Sequence, residues 1–233
     1  MAGRPGPARS TICLASTRSR PGMLRALVDL PTRPSGFDSL TMSTALQHLW
    51  AQYGWLIPTF GLSFGGALAL EVFRRHPTIP RTLILASAYA GWAGSLEPEE
   101  VQERLRLSLL RADLPPGPFA ESMISSMFAS SASEEDVDRF AASLGAFQPA
   151  GLRAMARSSA EADLRDVLPR IDVPTLLLYG GDDVRAPLPV AQALHSAISG
   201  SRLVVMPGVG HVSSVEAPEL FNRTVGDFLR TAE

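Results

Sequence analysis

Hydrophobic and polar residues follow two rhythms along this chain. Unbroken apolar runs close in glycine- or proline-bearing turns: Trp55 to Phe60, Thr82-Leu83-Ile84-Leu85-Ala86, Pro174-Thr175-Leu176-Leu177-Leu178-Tyr179 and Arg202-Leu203-Val204-Val205-Met206. Short runs without polar interruption predict strands, and the last two read as strands of a parallel sheet buried on both faces. Elsewhere apolar residues recur at helical spacing. Ala67 to Arg75 follows the first strand directly, and Val190 to Ile198 precedes the last. A closing helix carries Glu216, Glu219 and Asp227.

Between the strands at Thr82 and Thr175 the character changes. Glu97 to Arg111 sets Val101, Leu105 and Leu109 on one face, with Glu100, Glu103 and Arg104 largely on another. Pro115-Pro116-Gly117-Pro118 is expected to break the chain. Phe119 to Phe128, Glu134 to Leu144 and Gly151 to Ala162 read as further helices, the second opened by Ser133 with Asp136 three residues on, an acidic variant of a capping box. The pattern predicts an α/β fold with a mostly parallel sheet and a helical block inserted between core strands.

Chemistry enters at Gly61-Leu62-Ser63-Phe64-Gly65-Gly66, where the first strand turns into its helix. A serine between glycines at such a turn is lifted clear of the sheet edge, and the backbone is expected to be too tight for a Cβ on either side. The free N–H groups and positive end of the following helix face the place where negative charge would develop. A serine needs a base, and the base needs an orienting carboxylate. Asp182 and Asp183 follow the strand that ends at Tyr179, and His211 follows the strand that ends at Met206. Three polar groups just beyond the carboxyl ends of parallel strands converge on one sheet edge. The remaining histidines carry less. His76 precedes Pro77 where a helix must stop, His195 lies at the polar end of its helix, and His48 belongs to the atypical N-terminal segment discussed below.

With these motifs in place, residues 60 to 233 resemble the α/β-hydrolase fold family, in its serine hydrolase branch. The resemblance selects Asp183 over Asp182 through a G-x-x-D-x-x-x-P pattern, and His211 through G-x-G-H. It implies a Ser63, His211, Asp183 triad, the Phe64 N–H as oxyanion donor, and no cofactor. It further implies a core of residues 61–90 and 166–233 under a helical cap of residues 91–165. The elbow looks most like those of enol-lactonases and carboxylesterases, so the implied reaction is cleavage of an ester, lactone or related carbonyl bond. Cofactor-free haloperoxidase-like and C–C bond hydrolases share the triad, and a non-catalytic ligand-binding scaffold could keep the pocket. Met123, Met127, Phe128, Phe140, Phe147 and Met155 are the cap's large apolar residues, available either to glue its helices or to wall a site for a small, mainly apolar substrate.

Composition narrows the field. With 233 residues, 45% of them hydrophobic, the chain can bury one substantial core. A net charge of −2 offers no field for nucleic acid, and no run approaches the roughly 18 apolar residues of a membrane span. The lone cysteine, Cys13, excludes a disulfide framework and a thiolate metal cluster, and fits a reducing cytoplasm. No two histidines have metal-ligand spacing. The expected partner is a small-molecule substrate; oligomeric state is left open.

Residues 1 to 60 depart from the family's pattern. They carry six of the 21 basic residues, all arginine, but only two of the 23 acids, Asp29 and Asp38. The strands, oxyanion loop and D-x-x-G-x-G-x-S turn that the family places ahead of the elbow are not recognisable there. A transit peptide, a basic tail, or family sequence read out of frame would each account for this. The third explains most: displacing the frame by one base over Arg20 through Phe60 permits a D-x-P-G-x-G-x-S turn and an amphipathic helix leading into the elbow strand. The N-terminal strands and the second oxyanion donor are therefore expected to be missing or irregular.

Overall fold

A computed structural model describes residues 57–144 and 148–232. The expectations for residues 1–56, including Cys13 and His48, and for Phe147 lie outside the described residues.

Four strands form one parallel sheet in sequential order: β1 (Ile57–Leu62), β2 (Pro80–Ala86), β3 (Thr175–Gly180) and β4 (Arg202–Met206). The unbroken apolar runs are explained by a core on each side of that sheet. Leu83 and Leu85 of β2, with Leu177 and Tyr179 of β3, face one way, onto helices α1 (Phe64–Arg75) and α6 (Leu188–Ala197) through Leu70, Phe73, Val190 and Leu194. The alternate residues Ile84, Ala86, Leu176 and Leu178 face the other way, onto Phe221 and Phe228. Every second residue thus meets a different helix layer, and neither set tolerates a polar side chain. Each leucine so buried contributes about 1.5–3 kcal/mol relative to exposure.

β4 differs from its expected burial. Arg202 and Val205 are exposed and only Met206 is fully buried. Among the described residues this strand has a neighbour on one side only, β3, so it forms an edge of the sheet. Leu203 and Val204 each pack partly against one of the two cores.

The insertion between β2 and β3 is helical: α2 (Pro98–Arg111), α3 (Pro116–Met127), α4 (Glu134–Leu144) and α5 (Pro149–Glu161). The break expected at Pro115–Pro118 falls at residues 112–115, between α2 and α3, so that α3 begins within the proline run and not at Phe119, with Pro115 at the N-cap and Pro116 as the first residue. First-turn N–H groups lack intrahelical acceptors, so proline loses nothing there and its fixed φ suits the helix. Five of the described α-helices carry proline at their first or second position. α4 starts on the cap expected of Ser133: Asp136 N–H donates to Ser133 Oγ at 3.2 Å, while the hydroxyl donates to the Asp136 carboxylate at 2.7 Å. The cap has its own small core of Ala112, Phe119, Met123, Leu144 and Leu152. A short helix α7 (Ser213–Glu216) and the amphipathic α8 (Pro218–Thr231) complete the described residues.

Candidate active site

Ser63 stands between β1 and α1 with φ 54° and ψ −118°. That conformation is rare for a residue with a side chain and marks a sharp, strained turn. Two hydrogen bonds fix it: Ser63 N–H donates to Ala86 O at 2.8 Å, and Gly66 N–H to Ser63 O at 2.9 Å. The flanking glycines do not act alike. A Cβ on Gly61 would sit 2.2 Å from Gly65 O, and one on Gly66 would sit 2.3 Å from the Ala88 Cβ, but one on Gly65 would meet nothing within 4 Å. The expected tightness on both sides of the serine therefore holds at Gly61 and Gly66 and fails at Gly65. A second strained serine, Ser87 (φ 47°), directly follows β2 and is fully buried.

The Asp183–His211 pair is assembled by two loops. Asp183, beyond β3, is buried, whereas Asp182 is exposed and donates its backbone N–H to Val209 O. The N–H groups of Arg185 and Ala186 both donate to Asp183 Oδ1, at 2.9 and 2.8 Å, so the loop folds back on its own carboxylate. His211 Nδ1 lies 3.0 and 2.9 Å from the two carboxylate oxygens, with both side chains almost wholly buried. Burial pushes the Asp183 carboxyl up, but the His211 ring and the Ala186 N–H outweigh it and hold the group below the usual carboxylate range. An ionised carboxylate only accepts hydrogen bonds, so it fixes the ring tautomer with the proton on Nδ1 and leaves Nε2 as an acceptor.

The His211 loop is also tied to the cap. The N–H groups of His211 and Val212 donate to Met127 O at 2.9 and 3.2 Å. Glu216 accepts from Gly210 N–H at 3.0 Å and from Ala129 N–H at 2.9 Å. Sequence reading placed Glu216 in a terminal acidic helix and missed this role, since only folding brings Ala129 to it.

One cavity of about 370 Å³ gathers these parts. Ser63, Phe64 and His211 line it together with Met123, Met127, Phe140 and Met155 of the cap. Those four wall the cavity while packing the cap core, and Phe128 instead makes an edge-to-face contact with Phe140, centroids 5.3 Å apart. The sequence offered two roles for these side chains, and four of the six fill both. The other two described histidines lie elsewhere: His76 ends α1, and exposed His195 pairs with Ser201 Oγ at 2.8 Å.

Three titratable lining residues, Tyr89, Arg104 and Arg185, had not been singled out for the site. Arg104 donates to the Tyr89 hydroxyl at 2.8 Å and lies over its ring at 5.4 Å. Burial pushes the Tyr89 phenol up to about 12 despite that cation, so it stays protonated. Arg185, two residues past Asp183, donates to Ser126 Oγ at 3.0 Å. Its proximity in sequence to the expected acid was the signal available. Among the described residues no group of three or more His, Cys, Asp or Glu side chains is placed to hold a metal ion, and no helix is long and apolar enough to cross a membrane.

The chain is similar to known esterases. A pimeloyl-[acyl-carrier protein] methyl ester esterase of Neisseria meningitidis is 28% identical over 230 residues, covering 87% of this chain and 81% of that protein. Among solved structures, a thermophilic esterase from Thermogutta terrifontis, malate bound, is similar with a TM-score of 0.75 and 29% identity, covering 86% of this chain and 75% of that one. An esterase from Exiguobacterium antarcticum gives 0.71 and 25%, covering 84% and 75%. The sequence model of the alpha/beta hydrolase family matches residues 9–224, reaching well upstream of the residue-60 limit set by the elbow and triad motifs. The chain therefore belongs to the alpha/beta hydrolase family of enzymes.

Proposed function

We propose that this protein is a serine ester hydrolase acting through an acyl-enzyme. The observation that carries the reading is the buried Asp183–His211 pair opening on the same cavity as a serine held at a strained elbow. Ser63 Oγ attacks the ester carbonyl as His211 Nε2 takes its proton, and Asp183 stabilises the imidazolium. The Phe64 N–H, in the first turn of α1, has no intrahelical acceptor and donates to the tetrahedral oxyanion. The carbonyl–oxygen bond of the leaving group then breaks, and the alcohol leaves with the proton from His211. Water, activated by the same histidine, releases the acid and restores Ser63. The apolar cap wall supports a small, mainly apolar substrate around the ester-like carbonyl. The esterase relatives favour simple esters, and lactones place the same atoms at Ser63.

A fluorophosphonate probe tests this directly. It should label Ser63, and Ser63→Ala should abolish both labelling and turnover of p-nitrophenyl acetate. A folded protein that stays unlabelled and hydrolyses no ester in a panel would instead be a ligand-binding scaffold.

A further inference from the structure

The cavity has one cationic corner. Arg104 and Arg185 both line it, and their commitments differ. Arg104 is satisfied. Its Nε and Nη2 donate to the Glu100 carboxylate at 3.1 and 2.9 Å, and its Nη1 donates to Tyr89 Oη and to the Arg185 carbonyl. The Arg185 guanidinium has five N–H donors, and its one side-chain hydrogen bond goes to a neutral hydroxyl, Ser126 Oγ. Among the described residues it forms no ion pair with a carboxylate. Asp183 does not serve, because its oxygens are taken by the His211 ring and by backbone N–H groups, including that of Arg185 itself.

The surroundings make that cation short of a counter-charge. Burial first, then the positive charges of Arg111 and Arg104, lower the Arg185 guanidinium from its ordinary value. Charged groups taken out of water are normally paired. A guanidinium at a cavity wall with donors to spare is matched by a planar, two-oxygen anion.

We propose that Arg185 is the recognition site for a carboxylate on the substrate, so that the preferred substrates are half-esters of dicarboxylic acids. The free acid is held by Arg185 while the ester carbonyl lies at Ser63. This rests on the reading of Ser63 as the nucleophile. It also refines the expectation of a mainly apolar substrate: the middle of the molecule is apolar, against Met123, Met127 and Phe140, and the far end is charged.

The test is a binding experiment that needs no turnover. Ser63→Ala protein is titrated by calorimetry with the monomethyl esters of succinic, glutaric and adipic acids, and with the matching dimethyl esters. At least one monoester should bind ten-fold or more tightly than its diester. In a Ser63→Ala, Arg185→Gln background that preference should vanish, and Arg185→Lys, which keeps the charge but not the fork, should retain part of it. Equal affinity for every monoester and diester pair in the Ser63→Ala protein would overturn the proposal, whatever the Arg185 variants do. An Arg185 that only ties the cap to the core through Ser126 predicts that equality. Fluorophosphonate labelling separates the two readings: labelling without monoester preference removes the anion site alone, and preference without labelling keeps the anion site and removes the ester-cleaving reading.

Discussion

Replacing Ser63 by glycine and by alanine separates the chemistry of this residue from the strain it carries. Both variants lose Oγ, so both should be inactive. Only alanine keeps a Cβ at φ 54°, ψ −118°. A side chain in so sparsely populated a region costs about 1–3 kcal/mol, which glycine relieves. Glycine gives back about 0.4–1 kcal/mol through its freer unfolded chain. The net expectation is that Ser63→Gly is more stable than Ser63→Ala by roughly 0.5–2 kcal/mol. For a chain of this size each kcal/mol moves the melting temperature by about 2–4 °C, giving a gap of about 1–8 °C. Thermal melts followed by circular dichroism at one pH and protein concentration read it. A Ser63→Gly protein that melts at or below Ser63→Ala would show that the elbow holds no strain at this position, and the argument that the turn forces its hydroxyl into the cavity would fail with it.

Three further outcomes follow from the site. Gly61→Ala should cost about 1–3 kcal/mol through overpacking, because its Cβ meets backbone at 2.2 Å; Gly65→Ala, with open space, should be neutral or slightly stabilising, and urea melts of the pair compare them. Asp183→Asn should lower kcat by about 10³–10⁴ by presenting the wrong His211 tautomer. Because the folded carboxyl is held below its unfolded value, its stabilisation is present above the unfolded value and lost as pH falls through the folded one; acid unfolding of Asp183→Asn should therefore start from a lower stability and show a flatter acid limb. Glu216→Ala strands the Gly210 and Ala129 N–H groups, costing about 1–3 kcal/mol, and should lower kcat, since the same residue steadies the His211 loop; a variant with unchanged melting temperature and kcat would contradict that role.

Much of the fold was legible because its sheet is covered on both faces. A strand with a helix layer on each side admits few polar residues, so Leu83 to Ala86 and Leu176 to Tyr179 announce themselves as apolar runs. The same logic misjudged Arg202–Met206, whose apolar run lies on a strand with one neighbour among the described residues. The start of α3 was set at Phe119 instead of Pro116 because the effect of proline depends on position, breaking a helix from within and starting one at its first turn. At the site, Ser63, Asp183 and His211 were visible because each follows a strand in a turn with few permitted residue types. Arg185 and Glu216 were not, because their meaning depends on partners distant in sequence, Ser126 for the first and Ala129 for the second.

Those distant partners also determine how the cap behaves. The end of α3 is bonded to the His211 loop at several points: Met127 O accepts from two successive N–H groups beside the imidazole, and the Glu216 carboxylate spans Ala129 on one side and Gly210 on the other. Close contact reinforces this, since a Cβ on Gly210 would lie 2.5 Å from Ala129 N. Helix α3 therefore cannot lift from the cavity without stripping the backbone of its bonds around His211, which lines the same cavity as Ser63. Helix α5 is tied in turn to the core, since Ser159 O accepts the Trp92 N–H at 2.8 Å, whereas among the described residues the hydrogen bonds of α4 stay within the helix and its Ser133 cap. Met123 and Met127 on α3 and Met155 on α5 thus line tied parts of the wall, and Phe140, on α4, lines the part held by side-chain packing such as its edge-to-face contact with Phe128.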